Sequence, residues 1–383
     1  MKPYARRVNP PTPLRRAVRR LLKSLAVVLL ALGSAGLVAG CCVFSGPRYT
    51  GPKSDHFDGE HFVNQTGPRH SGFGDLMKWA TTRQKGPWRE WTDAQPGPPP
   101  PRRVGPGELR VTFVNHATTL VQLDGLNVLT DPIWSERCSP VSFAGPKRHR
   151  PPGLRFEDLP PIDAVVLSHN HYDHLDLPTL RQLQDAWHPR FFVGLGNRAL
   201  LEKAGLDRVT ELDWWQEAKL SPEVTVSSVP AEHFSNRGMC DRDSTLWTGY
   251  VMKGRGGPVY FAGDTGYGPH FRQIRERFGP VRLALLPIGA YKPEWFMAPV
   301  HTSPLEVVRA HQELQASTSA AIHFGTFSLG DDGQDDAPQA LTAALEQAGP
   351  AAAGRFWILG FGEGRDVPPL PGSNPDSPNP TQP

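Results

Sequence analysis

The stretch that most restricts what this chain can fold into is VVLSHNHYDHLDLP, residues 165–178. Three apolar residues, Val165 to Leu167, run straight into His169, His171, Asp173, His174 and Asp176. A buried strand cannot deliver so many ionisable groups unpaired, because each loses several kcal/mol of hydration. Water, ion pairs or metal must hold them. In extended chain His169 and His171, two positions apart, project to the same side. Asp173 and His174 follow at a turn, where they can face a second point. Neutral imidazole and carboxylate suit a divalent ion, and a thiol-free set with room for water is what catalytic sites use. The alternative is a hydrated loop with scattered histidines. Five candidate ligands directly behind an apolar strand argue against it.

Further ligands lie at later strand ends. SSVPAEHFSNRG places His233 just beyond a strand, PVYFAGDTGYG places Asp264, and SAAIHFGTF places His323. Each alone is weak, since a single histidine after a strand is more often structural. Together they make seven ligands at carboxyl-side strand ends, where sites in open α/β sheets form. Seven suits two metal ions sharing a carboxylate. The segment that carries them, 107–365, opens with strand-like runs (LRVTFV, TTLVQLD and, after a turn at Gly125, LNVLTD) and continues with strands alternating with helical patterns. The clearest helices are LPTLRQLQDAW, NRALLEKAG, PHFRQIRERF and SPLEVVRAHQEL. Early hairpins followed by alternation predict a layered α/β catalytic domain.

The flanks read differently. Residues 1–23 are basic with no acid, and Ser24 to Gly40 then carries no charge. That run is short of the roughly 20 residues of a comfortable span but suits an export signal. Val38-Ala39-Gly40-Cys41 resembles a lipobox, so residues 1–41 are read as a signal whose Cys41 becomes acylated, with an uncleaved membrane anchor as the alternative. Either reading tethers the protein to a membrane on the exported, periplasmic side. Residues 42–106 have the Gly and Pro content of a linker, with a partly ordered piece around Trp79, Trp88 and Trp91. Residues 366–383 read as a disordered tail. Cys138 and Cys240 are expected to be unpaired small apolar residues. Net charge is +3, and without the basic leader the remainder is mildly acidic, so no nucleic-acid partner is implied.

The residues also carry a resemblance. H-x-H-x-D-H followed by a later His, Asp and His resembles the metallo-β-lactamase superfamily. The stretches NHATTLVQLDGLNVLTDPIWSERCSPVSFAGPKRHR, LPPIDAVVLSHNHYDHLD, ELDWW, FAGDTGY, LLPIGAYKPEWFM and AIHFGTF resemble the N-acylphosphatidylethanolamine-hydrolysing phospholipase D family and its bacterial members. The resemblance covers roughly residues 107–345. It implies a four-layer α/β/β/α sandwich with two zinc ions per chain. His169, His171 and His233 would hold one ion, Asp173, His174 and His323 the other, and Asp264 would bridge them. It further implies a phospholipid substrate, cleaved to phosphatidic acid and N-acylethanolamine by attack of a shared water-derived hydroxide on phosphorus, with Asp264 and His301 as catalytic residues. His301 is equally readable as an exposed helix-start histidine. Asp131 and His116 would orient zinc-bound groups, although Asp131 before Pro132 is also an ordinary turn residue. Trp214 and Trp215 are expected to pack. A lactonase or another phosphoesterase of the same fold is the first alternative. A di-iron redox protein would bring more carboxylate ligands, and a non-catalytic envelope protein would be missing a ligand.

Overall fold

The run Ala164-Val165-Val166-Leu167 shows how the layers are built. Ala164 and Val166 face one apolar cluster, Val165 and Leu167 another, and all four are buried. An uninterrupted apolar strand of this kind is covered on both faces. A computed structural model gives the architecture and describes residues 23–24, 42–67 and 72–370. In chain order the first strands are β1 (Leu109–Asn115), β2 (Thr118–Leu123), β3 (Leu126–Thr130), β4 (Ala164–Leu167), β5 (Arg190–Gly194) and β6 (Val209–Leu212). Then come β7 (Glu217–Lys219), β8 (Thr225–Val229), β9 (Gly249–Gly254), β10 (Gly257–Phe261), β11 (Leu283–Pro287), β12 (Thr318–Ile322), β13 (Phe356–Trp357) and β14 (Gly364–Asp366). One sheet has the order β14-β1-β2-β3-β4-β5-β6 and the other β13-β12-β11-β10-β9-β8-β7. The β2–β3 hairpin turns on Asp124 and Gly125, both at positive φ, as a two-residue turn requires.

The helices are α1 (Phe73–Thr82), α2 (Leu177–Trp187), α3 (Arg198–Lys203), α4 (His270–Phe278), α5 (Glu294–Met297), α6 (Pro304–Glu313), α7 (Asp336–Ala348) and α8 (Pro350–Ala353). Leu180 and Leu183 of α2 pack on the outer face of the first sheet with Val165 and Phe191. Phe271, Val307 and Leu341, from α4, α6 and α7, cover the second sheet. Between the sheets lie Val111, Phe113, Val121, Val166, Tyr250 and Val259. The result is the expected four-layer α/β/β/α sandwich. Helix α6 starts where the sequence signals a cap: Ser303 Oγ accepts from Glu306 N, and Glu306 Oε2 accepts from Ser303 N at 2.8 Å. Such a capping box contributes about 1 kcal/mol.

The segment read as a linker is packed against the domain. Phe57 and Phe62 are fully buried with Trp214, Leu246 and Trp247, and burying two phenylalanines gives about 3–6 kcal/mol that a free linker would forgo. Trp79 stacks on Phe296 at 4.9 Å and Trp88 donates to the Asp332 carbonyl at 2.9 Å, while Trp91 is largely exposed. Cys240 is not an unpaired small residue: it forms a disulfide with Cys42, 198 positions away, and only Cys138 is free and buried among the described residues. The expected signal and Cys41 lie outside the described residues. Among those described, no helix is long and apolar enough to cross a membrane.

His56 latches this segment to the domain. Its Nδ1 lies 2.6 Å from Asp55 Oδ1 and its Nε2 2.7 Å from Asp213 Oδ1, and its ring stacks on Trp214 at 4.4 Å. Only the imidazolium can donate to both carboxylates at once. Burial opposes that charge, but Asp213 and Asp55 outweigh it and raise the pKa above 6.5. With the folded value above the unfolded one, the latch contributes fully below about pH 6.5 and is lost as pH rises through the raised value. The wild-type protein is therefore expected to be about 1–2 kcal/mol more stable than His56→Gln near pH 6, and the gap should narrow toward pH 9. Urea unfolding at both pH values checks this, and a gap independent of pH contradicts it.

Candidate metal centre

Strands β3, β4, β10 and β12 end on one side of the sandwich, and their first residues beyond the sheet are functional candidates. Asp131 follows β3, His169 follows β4 by two residues, Asp264 follows β10 by three, and His323 follows β12 directly. His233 stands four residues past β8. Gly263 makes the approach of two of these chains possible: it sits at φ +61, and a Cβ there would lie 2.4 Å from Ser168 Cβ. Any side chain would push Asp264 away from the histidine motif.

Three imidazoles converge on one point. Ser168 Oγ lies 2.9 Å from His169 Nδ1, Asn236 Oδ1 accepts from His171 Nε2 at 2.8 Å, and the Val300 carbonyl accepts from His233 Nδ1 at 2.9 Å. These contacts leave His169 Nε2, His171 Nδ1 and His233 Nε2 facing inward. His171 Nδ1 is 2.7 Å from His169 Nε2 and 3.3 Å from His233 Nε2. Tetrahedral ligation with metal–nitrogen bonds of about 2.0–2.1 Å puts ligand atoms about 3.3 Å apart. The trio fits a divalent ion.

A second group lies beside it. Asp173, His174, His323 and His116 present ligand atoms within 4.8 Å of one another. Asp264 stands between the groups: its Oδ2 is 3.1 Å from His323 Nε2, 3.2 Å from His174 Nε2, and 3.9 Å from both His233 Nε2 and His301 Nδ1. The Nε2 atoms of His174 and His323 are buried without a hydrogen-bond partner, and so is Asp264 Oδ1. Lone pairs brought close but not aligned with donors are what a coordinated cation satisfies. Asp131, wholly buried, accepts from His174 Nδ1 at 2.6 Å, and His116 Nε2 donates to Asp173 Oδ2 at 2.8 Å. Each therefore fixes the orientation of a neighbouring side chain.

The electrostatics favour cations. Burial pushes His171 down to about 4 and holds His169 and His233 well below the usual range, so all three are neutral, as ligation requires. Burial also opposes charge on His174 and His323, but Asp264 foremost overrides it, raising His174 strongly and His323 to about 9. The same contacts keep Asp173 and Asp264 ionised against burial. Among the described residues the ion pairs of Asp131, Asp173 and Asp264 are all with histidines. Three buried carboxylates without Lys or Arg partners form a negative pit suited to divalent ions.

The pit opens into a cavity of about 960 Å³. His171, Asp173, Asp264, His301 and His323 form its floor, while Leu76, Trp79, Phe234, Phe296, Met297 and Leu329 supply apolar walls. His301 is thus not a solvent-exposed helix start; burial pushes it down to about 4, and it is neutral beside Asp264. Leu76 of the cavity wall is nearly half exposed, as are Met77 and Trp295, which adjoin the wall residues Leu76 and Phe296 in sequence. All seven ligand candidates and His301 are brought together here. Asp176, from the opening motif, points elsewhere and accepts from Ser135 and Thr179. Trp214 is buried and donates to the Trp247 carbonyl, a packing role. Sequence reasoning did not single out Asn236 or Asn64, whose amide bonds the backbone N–H and C=O of His233 at 3.0 and 2.9 Å. Nothing in either residue type signals such a role.

The geometry agrees with what comparison finds. A family profile described as "Beta-lactamase superfamily domain" matches residues 126–324. N-acyl-phosphatidylethanolamine-hydrolyzing phospholipase D 1 of Caenorhabditis elegans is 41% identical over 233 residues, 58% of this chain and 65% of that protein. An uncharacterized Mycobacterium tuberculosis protein, Rv0906, is 44% identical over 243 residues, 62% of this chain and 64% of its own length. The match thus spans less than two thirds of either relative. The UPF0173 metal-dependent hydrolase MK1542 of Methanopyrus kandleri is 30% identical over 224 residues, 57% of this chain and 85% of that protein. Among solved structures, Igni18, a metallo hydrolase from Ignicoccus hospitalis, superposes with a TM-score of 0.52 at 23% identity, covering 68% of this chain and 99% of that one. That last likeness is one of fold.

Proposed function

The chain belongs to the β-lactamase superfamily of metal-dependent hydrolases, and from its site we propose that it is a zinc-dependent phosphodiesterase of phospholipase D type. The substrate would be an N-acylphosphatidylethanolamine-like lipid, and the products phosphatidic acid and N-acylethanolamine. The observation that carries this reading is the cavity: a constellation fit for two ions lies at the floor of a large chamber with aromatic and aliphatic walls. A charged diester with long acyl chains needs both parts, whereas a small polar ester needs only the floor.

In this reading His169, His171 and His233 hold one zinc ion, and Asp173, His174 and His323 the other, with Asp264 between them. Two such ions, when bound, supply an activated water near neutral pH and offset charge on phosphoryl oxygens. Asp131 and His116 hold His174 and Asp173 in their ligating orientations. Neutral His301, lining the cavity beside Asp264, is placed to bond a phosphoryl oxygen or the leaving alcohol. The apolar walls keep bulk water from the reacting group and accept acyl chains.

We propose that the protein reaches its lipid surface as an envelope lipoprotein, acylated at Cys41 on the periplasmic side. Cys42 is bonded to Cys240, two residues from Arg242, which lines the cavity. An anchor at Cys41 would hold the mouth close to the bilayer, with Leu76, Met77 and Trp295 nearby as apolar surface. A disulfide also accords with an oxidising compartment.

The test presents the zinc-loaded protein with vesicles of N-acylphosphatidylethanolamine, phosphatidylcholine, or phosphatidylcholine doped with a lactone. Mass spectrometry should find phosphatidic acid and N-acylethanolamine in equal amounts from the first alone. Lactone opening without phosphatidic acid would replace this substrate by the lactonase alternative.

A further inference from the structure

Two of the three histidines in the trio are oriented by residues that the N-terminal segment holds in place. Asn236 accepts the His171 Nε2 proton at 2.8 Å, which leaves Nδ1 to face the ion. Asn64 bonds both backbone groups of His233, and its Oδ1 also accepts from Trp247 Nε1 at 2.9 Å. The loop carrying Asn236 is fixed on two sides. Arg237 Nη1 donates to the Asn170 and Leu175 carbonyls at 2.9 and 3.0 Å, locking the loop to the histidine motif. Asp241 accepts from Arg237 N, Gly238 N and Gly46 N, and Cys240 is bonded to Cys42. Residues 42–64 therefore reach the same ion position twice, through the loop and through Asn64.

We propose that Asn236 and Asn64 are positioning residues that set the affinity of the His169–His171–His233 group for its ion, making residues 42–67 a working part of that group. For Asn236 the physical reason is that a ligating imidazole whose other nitrogen is bonded is held in one tautomer and one rotation, and losing that partner typically weakens metal binding about 10–100-fold; Asn64 acts one step back, by fixing the backbone that carries the His233 ring. The group built on Asp173, His174 and His323 has its own partners, Asp131 and His116, on other elements. The effect should fall on one ion of the two. This inference rests on the two-ion reading above but not on the lipid substrate.

The test titrates the full chain with cobalt(II) against a competing chelator and follows the visible absorption of each ion. Asn236→Leu should weaken one ion about 10–100-fold, leave the other within about threefold, and change the spectrum of the weakened ion only. Asn236→Asp, which keeps an acceptor at the same place, should restore that affinity. Asn64→Ala should weaken the same ion. The side chain of Asn236 is partly exposed, so neither substitution there removes core packing. Wild-type affinity at both ions in Asn236→Leu, or equal weakening of both ions with no rescue by aspartate, would overturn the proposal.

Discussion

Replacing Asp264 with asparagine is expected to lower turnover by about a thousandfold while leaving the fold intact. That factor corresponds to roughly 4 kcal/mol of lost transition-state stabilisation, within what metal-assisted charge stabilisation supplies. The side chains have nearly the same shape, so the loss would come from charge. Asp264 Oδ2 lies within 3.9 Å of imidazole nitrogens from His174, His233, His301 and His323, and Oδ1 is buried without a partner. A neutral amide attracts cations far less than a carboxylate does, and its N–H₂ has no free lone pair to offer them where an Asp264 oxygen now stands. Steady-state kinetics together with metal analysis by mass spectrometry checks this. An Asp264→Asn protein that keeps two ions and full turnover would remove Asp264 from the centre.

Asp131→Ala should cause the largest loss of stability, about 3–5 kcal/mol. Asp131 is wholly buried and accepts from Ser168 N at 2.7 Å, from Ser168 Oγ, and from His174 Nδ1 at 2.6 Å. Removing one acceptor strands three buried donors, each costing about 1–3 kcal/mol when unsatisfied, with partial relaxation between them. The backbone adds to the effect, since residue 131 sits at φ +34, where alanine is less at home than aspartate. Asp131→Asn, which keeps an acceptor, should cost less than half as much. Urea unfolding of the three proteins measures the difference, and a loss under about 1 kcal/mol for alanine would show that Asp131 does not organise this site.

What could be read in the sequence was what chemistry and periodicity constrain. Metal ligands must be drawn from few residue types, and parallel strands deliver them at one edge, so His169, His171, Asp173, His174, His233, Asp264 and His323 stood out before any fold was known. The helix Leu177–Trp187 was readable to its ends because Pro178 marks its first turn and its apolar residues recur at helical spacing. Helix Asp336–Ala348 was missed because half of its buried residues are alanine and an Asp- and Gly-rich run precedes it. The segment after residue 42 was misread for a related reason. Its Gly and Pro content resembles a linker, and two phenylalanines five positions apart carry no period that announces burial. Asn64, Asn236 and the Cys42–Cys240 pair gain their roles only from contacts across more than 60 positions of chain. No local pattern encodes such contacts.

One constellation at the floor of an apolar cavity is expected to hold two metal ions. The most direct test is a crystal structure of the zinc-soaked protein with anomalous data collected on both sides of the zinc edge. Two peaks are expected, one ringed by His169, His171 and His233, the other by Asp173, His174 and His323, with the Asp264 carboxylate between them. A single peak, or peaks away from these seven residues, would contradict it.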